Sequence, residues 1–225
     1  RSFTLSNGLW VSDIAGSETL TEVPANGGPE LIYRNQDDVI FRFKAVDNAQ
    51  PLTVTQRNGW VMTYTYSAGG LLSQVTNHFG RSLSFSYNTS GQISQITRPD
   101  GLALLYEYVL GTDGSYRLSS VRQPDNTRKT YTYLTSAEPK NALIGVTDEN
   151  NTSIAAYAYD GQGRSTTTQN AGYTNRYEVR YPTVAGAPTQ VIDPLGTMRN
   201  YQYSARASQL AVTSADKPGN SGSAD

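Results

Sequence analysis

The chain has no cysteine at all. That excludes disulfides, thiolate metal sites and cysteine nucleophiles, and it leaves the redox compartment open. Histidine is nearly absent too: His78 stands alone. A zinc site would need an unusual all-carboxylate set, and one histidine among many serines gives no Ser-His-Asp arrangement. No apolar run approaches the roughly 18 residues of a membrane span. Neither charge sign dominates, with 18 Lys+Arg against 19 Asp+Glu and a net charge of −1. Counterion-release binding to nucleic acid and a polybasic membrane anchor therefore have no basis. Helical periodicity is also missing. Ser17 to Val23 is the one candidate, and seven residues make a marginal helix.

What the chain does have is tyrosine, 16 of them in 225 residues. Aliphatic supply is modest, so buried area must come largely from rings that keep a polar tip near water. These rings are not scattered. Aromatic pairs recur about every 21–26 residues: Tyr64/Tyr66, Phe85/Tyr87, Tyr106/Tyr108, Tyr131/Tyr133, Tyr157/Tyr159, Tyr177 with Tyr181, and Tyr201/Tyr203. A fixed period of this size marks a repeat architecture, in which one unit buries its apolar face only against its neighbours.

Each unit reads as one β-hairpin. Before the pair, residues alternate, as in Trp60, Met62, Tyr64 and Tyr66, which is the period of a strand. A turn follows, such as Asn88-Thr89-Ser90-Gly91 or Asp160-Gly161-Gln162-Gly163. The next short strand carries apolar residues three apart: Leu72/Val75, Ile93/Ile96, Leu118/Val121, Leu143/Val146. That spacing conflicts with a flat strand, so it requires a bulge or two partly covered faces. A second turn closes the unit, as at Pro99-Asp100-Gly101 or Asp193-Pro194-Leu195-Gly196. Propeller blades need twice this length, and a parallel β-helix coil can be this short, but paired aromatics with two turns per unit favour an antiparallel ribbon of consecutive hairpins as the all-β fold.

Residues 38–220 form the array, 1–37 a lead-in that follows the pattern loosely, and 221–225 a flexible tail. The opening Arg1-Ser2-Phe3-Thr4 has neither an initiator Met nor a signal segment, and reads as part of a longer protein.

These units resemble the YD repeats of the Rhs (rearrangement hot spot) family, which also occur in teneurins and in shell components of insecticidal toxin complexes. The stretch Tyr157-Ala158-Tyr159-Asp160-Gly161-Gln162-Gly163-Arg164 is close to that family's Tyr-Asp-x-x-Gly-Arg core, giving Tyr159, Asp160, Gly163 and Arg164 as the repeat signature. Pro99-Asp100-Gly101 and Asp193-Pro194-Leu195-Gly196, each ahead of a Tyr-x-Tyr pair, match family usage. The literal Tyr-Asp survives once; Tyr87 is followed by Asn88, Tyr66 and Tyr203 by Ser, Tyr133 by Leu134. The resemblance implies a ribbon that spirals into part of a hollow shell. In bacterial members that shell encloses a C-terminal toxin domain and is exported by a secretion system or displayed at the surface. The implied partners are adjoining repeats and the toxin domain. Neither a variable toxin domain nor the family's self-cleaving end segment is recognisable. Asp193-Pro194-Leu195-Gly196 occupies an ordinary turn slot.

No residue set suggests catalysis, a cofactor or a metal, so the chain is expected to be non-enzymatic. Asp37-Asp38 and Asp148-Glu149 read as solvated turns, because no Gly-spaced ligand loop accompanies them. Tyr66, Tyr87, Tyr108, Tyr133, Tyr159 and Tyr203 should occupy equivalent positions, their rings within stacking range on one face. The alternative use of such a ladder is to stack on glycans, as an adhesive carbohydrate-binding module at a cell surface. Asn88-Thr89-Ser90 and Asn150-Asn151-Thr152-Ser153 fit the N-glycosylation pattern, as Ser/Thr/Asn-rich turns do by composition.

Overall fold

In the computed structural model, residues 2–14, 16–135, 139–206 and 209–216 are described. The expected tail, 221–225, lies outside them. The chain divides into two units, residues 1–105 and 106–225.

In the first unit β1 (Phe3–Ser6) and β2 (Leu9–Ser12) make a separate hairpin. There follow β3 (Thr19–Val23), β4 (Glu30–Arg34), β5 (Ile40–Lys44), β6 (Pro51–Thr55), β7 (Val61–Tyr66), β8 (Leu72–Thr76), β9 (Ser82–Tyr87) and β10 (Ile93–Thr97). Each pairs antiparallel with the next, and β10 pairs with the start of β11 (Ala103–Leu110). The second unit continues with β12 (Tyr116–Arg122), β13 (Arg128–Tyr133), β14 (Leu143–Thr147), β15 (Ser153–Tyr159), β16 (Ser165–Asn170), β17 (Tyr177–Arg180), β18 (Thr189–Ile192), β19 (Met198–Arg206) and β20 (Gln209–Ala215). The same nearest-neighbour pairing runs from β12 to β20. The antiparallel ribbon is thus present unit by unit.

The one marginal helix candidate, Ser17 to Val23, does not form a helix. Thr19–Val23 is a strand, because its three β-branched residues (Thr19, Thr21, Val23) disfavour a helix. Five rungs of pairing to β4 supply what so short a helix would lack.

Register gives each unit two chemically different faces. Paired residues point to the same side, so Leu20, Tyr33, Phe41, Val54 and Met62 form one apolar row across β3–β7. Tyr64, Val75 and Leu83 make another. On the opposite face Thr53, Thr63, Thr76 and Ser82 line up, and beside them Thr65, Gln74, Ser84 and Thr97. In the second unit Ser120, Thr130, Thr147 and Ser153 repeat the hydroxyl row. Among the described residues no hydrophobic side chain is fully buried. Stability therefore rests on many half-covered neighbours, as in a repeat array.

The three-residue apolar spacing is resolved by a bulge in the same slot of successive hairpins. Tyr66 pairs with Leu72 but Thr65 with Gln74, leaving Ser73 as the extra residue. Ser94 takes that place opposite Tyr87, Ile144 opposite Tyr133, Thr166 opposite Tyr159 and Thr213 opposite Tyr203. One inserted residue returns Leu72 and Val75 to a single face, opposite Tyr66 and Tyr64.

Candidate functional site

Two devices recur, a locked turn and a tyrosine strut. In the turn at Asp160, its N–H donates to the Arg164 carbonyl and the Gly163 N–H donates back to the Asp160 carbonyl, both at 3.0 Å. The same two bonds hold the turns at Asn77, Asn88, Arg98 and Asp193. Such a turn places its fourth residue in the left-handed region. Gly163 has φ 83° and Asn126, its counterpart in another unit, φ 69°. This is why these turns end on Gly or Asn, with Asp38 (φ 61°) in that place at the Asn35 turn.

The signature aspartate completes that turn from its side chain. Asp160 Oδ1 accepts the N–H groups of Gln162 and Arg164 at 2.9 Å, and Oδ2 accepts Arg164 Nε at 2.7 Å. The Arg164 N–H, before the guanidinium, holds the Asp160 carboxyl below the usual range. Asp193 follows the same pattern with Leu195 and Thr197, and adds Arg199 at 3.0 Å, both partners of that ion pair largely buried. Asp193-Pro194-Leu195-Gly196 is a locked turn of the common kind.

The strut is the second aromatic of five of the pairs. Tyr66 donates its hydroxyl to the Pro51 carbonyl, Tyr87 to Leu72, Tyr133 to Leu118 and Tyr159 to Leu143, at 2.8–2.9 Å. Every step spans 15 or 16 residues. The acceptors Pro51, Leu72 and Leu143 each begin a bulge opposite the aromatic of the preceding hairpin. A bulge interrupts the ladder, and the tyrosine of the next hairpin occupies the carbonyl next to the interruption. Tyr108 is half-buried in the same slot, and burial raises its phenol pKa, as it does for Tyr66 and Tyr133.

Direct stacking of these rings is not what holds them. Among the described residues no two of Tyr66, Tyr87, Tyr133, Tyr159 and Tyr203 are in ring contact; the observed ring pairs join Phe3, Tyr33, Phe41 and Phe43, and separately Trp60, His78 and Phe79. Each unit contains two strands, so equivalent slots lie two strand spacings apart, about 9.5 Å. Rings interact within about 4.5–7 Å. A phenol can instead cross one strand and reach the carbonyl on it.

The sequence pairs Tyr181 with Tyr177 but does not place it among the equivalent repeat positions. Its hydroxyl donates at 2.9 Å to the carbonyl of Ser165, which pairs with Tyr159 at the start of the bulge, and the Arg164 guanidinium lies 4.2 Å from its ring centroid. Tyr181 therefore takes the strut position in its unit, four residues beyond Tyr177. Its displacement from the Tyr-x-Tyr spacing hid it, although the 15–16-residue step back to a bulge would have found it. Tyr203 pairs with Val212 across the bulge and is nearly half-exposed, at 45%. Arg164→Lys keeps the charge but loses the planar group over Tyr181. It should lower stability by about 0.5–1 kcal/mol in urea melts with an unchanged m-value.

The remaining titratable candidates serve turns. Asp148 accepts the N–H groups of Asn150 and Thr152, and Glu149 lies 3.8 Å from Lys129. Asp38 pairs with Arg34 at 3.3 Å, while the Asp37 N–H donates to the Asn35 side chain. His78 stacks on Trp60. Among the described residues no three acidic or imidazole groups converge as a metal set, and no helix is long and apolar enough to cross a membrane.

Hairpins that satisfy one another's bulges by a tyrosine strut define a structural repeat ribbon of the Rhs/YD type. Residues 44–217 match the teneurin YD-shell family, and the chain belongs to it. No curated protein matches the chain. Among solved structures, TcdB2-TccC3-Cdc42 is similar at 14% identity and a TM-score of 0.52, over 91% of this chain and 12% of that one. TcdB2-TccC3 without its hypervariable C-terminal region gives 14% and 0.52, over 87% and 12%. TcdB2-TccC3-TEV gives 16% and 0.50, over 80% and 10%. The chain thus spans about a tenth of the length of these structures, and the likeness is one of fold.

Proposed function

We propose that this chain is a stretch of shell wall that encloses a C-terminal toxin domain of its parent protein, without enzymatic activity of its own. The observation that carries this reading is the strut: Tyr66, Tyr87, Tyr133, Tyr159 and Tyr181 each complete the hairpin before them, which suits a sequence built to extend a wall. Two of the similar structures support the cargo. One carries Cdc42 with TcdB2-TccC3, and another is defined by lacking a hypervariable C-terminal region. Shells of this kind serve secreted toxins, so export by a bacterial secretion system or display at the surface follows, with adjoining repeats and the toxin domain as partners.

The test uses the chain within its reading frame. Expressed with the repeats and domain that follow, the C-terminal domain should resist added protease, and strut alanines at Tyr87 and Tyr159 should make it digestible. Equal digestion with and without the repeats would remove the encapsulation reading. A hydrolase, nuclease and transferase panel on the chain should give no turnover. The second reading, glycans stacked along the tyrosine face, is less favoured, because the strut hydroxyls are consumed by backbone carbonyls. Sugar binding abolished by Tyr87→Ala would reinstate it.

A further inference from the structure

One hollow in the second unit gathers cations whose hydrogen-bonding capacity is largely unspent. It measures about 440 Å³ and opens between β16 and β17. Arg164 lines it from a turn, Thr166 and Thr167 from β16, Arg176 from just ahead of β17 and Arg180 from the end of that strand. Asp160 and Glu178 complete the charge set. Three guanidinium groups thus face two carboxylates, in a chain whose net charge is −1.

This hairpin departs from its neighbours in both sequence and pairing. One and three residues before the strut tyrosine, four other hairpins carry Thr65 and Thr63, Ser86 and Ser84, Thr132 and Thr130, and Ala158 and Ala156. Before Tyr181 the same two places hold Arg180 and Glu178, with Arg176 two residues further back. Period two puts Arg176, Glu178 and Arg180 on one face, the face of Thr167, which pairs with Glu178. The ladder from β16 to β17 has two rungs, against five from β15 to β16 and three from β17 to β18. Beyond Thr167 and Glu178 the strands are no longer paired, and there the hollow lies.

The carboxylates anchor these guanidinium groups without using them up. Asp160 Oδ2 accepts Arg164 Nε at 2.7 Å, Glu178 Oε1 accepts Arg180 Nε at 2.7 Å and Glu178 Oε2 accepts Arg176 Nη1 at 3.1 Å. Each arginine here gives one nitrogen to a carboxylate. Arg42, Arg98 and Arg128 each give two. Among the described residues the Nη groups of Arg164 and Arg180 have no hydrogen-bond partner, nor do the hydroxyls of Thr166 and Thr167. Arg164 is also held over the Tyr181 ring, at 4.2 Å. Donors fixed at one nitrogen and open at the others are arranged in advance for a ligand that only accepts. A phosphate group meets that need, because its oxygens carry negative charge and take several guanidinium forks at once. A carboxylate has two oxygens and would leave more of these donors unused.

We infer that this hollow binds a phosphate group, held by Arg164, Arg176 and Arg180 with the hydroxyls of Thr166 and Thr167. The inference does not depend on the shell reading. Inorganic phosphate titrated into the full chain, with chloride at matched ionic strength as the control, should bind saturably and raise the melting temperature. Arg176→Gln Arg180→Gln should weaken binding at least about tenfold. Both side chains are half-exposed, so this variant should keep the parent melting curve when phosphate is absent, which separates loss of ligand from loss of fold. Arg180→Lys keeps the charge but loses the fork, and should also weaken binding. Arg57→Gln, at an exposed position in the first unit, should leave affinity unchanged. Glycerol phosphate binding more tightly than inorganic phosphate would assign the site to a phosphate ester, and equal or weaker binding to the free anion. No saturable binding beyond the chloride control would overturn the inference. So would binding undiminished in the double variant, an equal loss in Arg57→Gln, or acetate binding as tightly as phosphate.

Discussion

Tyr133→Ala is expected to destabilise the fold by about 2–4 kcal/mol, the range for truncating a largely buried aromatic. The change removes the ring that covers the bulge face opposite Leu143, and it leaves the Leu118 carbonyl without its donor. Tyr133→Phe separates these effects. It keeps the ring and loses the bond, so it should cost about 0.5–1.5 kcal/mol. Tyr203→Ala should cost distinctly less than Tyr133→Ala, because that ring is 45% exposed and has fewer neighbours to lose. Urea melts of the three variants measure all of this. Equal losses at Tyr133 and Tyr203 would argue for a single globular core, and a harmless Tyr133→Phe would remove the strut from the account.

Acid should unfold the array over a defined window. Ser115, through its hydroxyl and then its N–H, holds the Asp113 carboxyl down to about 2, with Arg117 assisting. Asp125 is lowered by Thr127, while the N–H groups of Leu102, Arg164 and Thr197 lower Asp100, Asp160 and Asp193. Glu178 is lowered by Arg180 and Arg176. A carboxyl whose pKa is depressed in the folded state binds fewer protons there than in the unfolded chain. Its contribution is complete above the unfolded value of about 4 and is lost as pH falls through the folded one. The midpoint of urea unfolding should therefore hold between pH 7 and 5, then drop steadily from about pH 4 toward pH 2. An Asp113→Asn Asp160→Asn variant retains a side-chain acceptor in each turn and should show a shallower drop. A midpoint that stays flat to pH 2.5 would mean the turn carboxylates do not support the fold.

Much of this architecture was legible before any coordinates. Alternation at Trp60, Met62, Tyr64 and Tyr66 declares a strand, and Asp160-Gly161-Gln162-Gly163 declares a turn, because both depend on residues near in sequence. The period placed Tyr66, Tyr87, Tyr133 and Tyr159 in one slot. Even the bulge was half visible, as the misfit between Leu72 and Val75 spaced three apart and a strand period of two.

What the rings do in that slot was decided only by the tertiary structure. The second strand between one tyrosine and the next is readable in the hairpin pattern, but which carbonyl each hydroxyl reaches across it is not, and that strut takes the place of ring stacking. Tyr181 shows the same limit: its place is fixed by the Ser165 carbonyl it reaches and the Arg164 it packs under, not by its distance from Tyr177. The meeting of Trp60, His78 and Phe79 likewise follows from pairing. Two turns about twenty residues apart share one end of the ribbon because an even number of antiparallel strands returns the chain to the side it left. Local chemistry therefore set the strands and turns of this protein, while contacts across strands, which no local pattern encodes, set which groups touch.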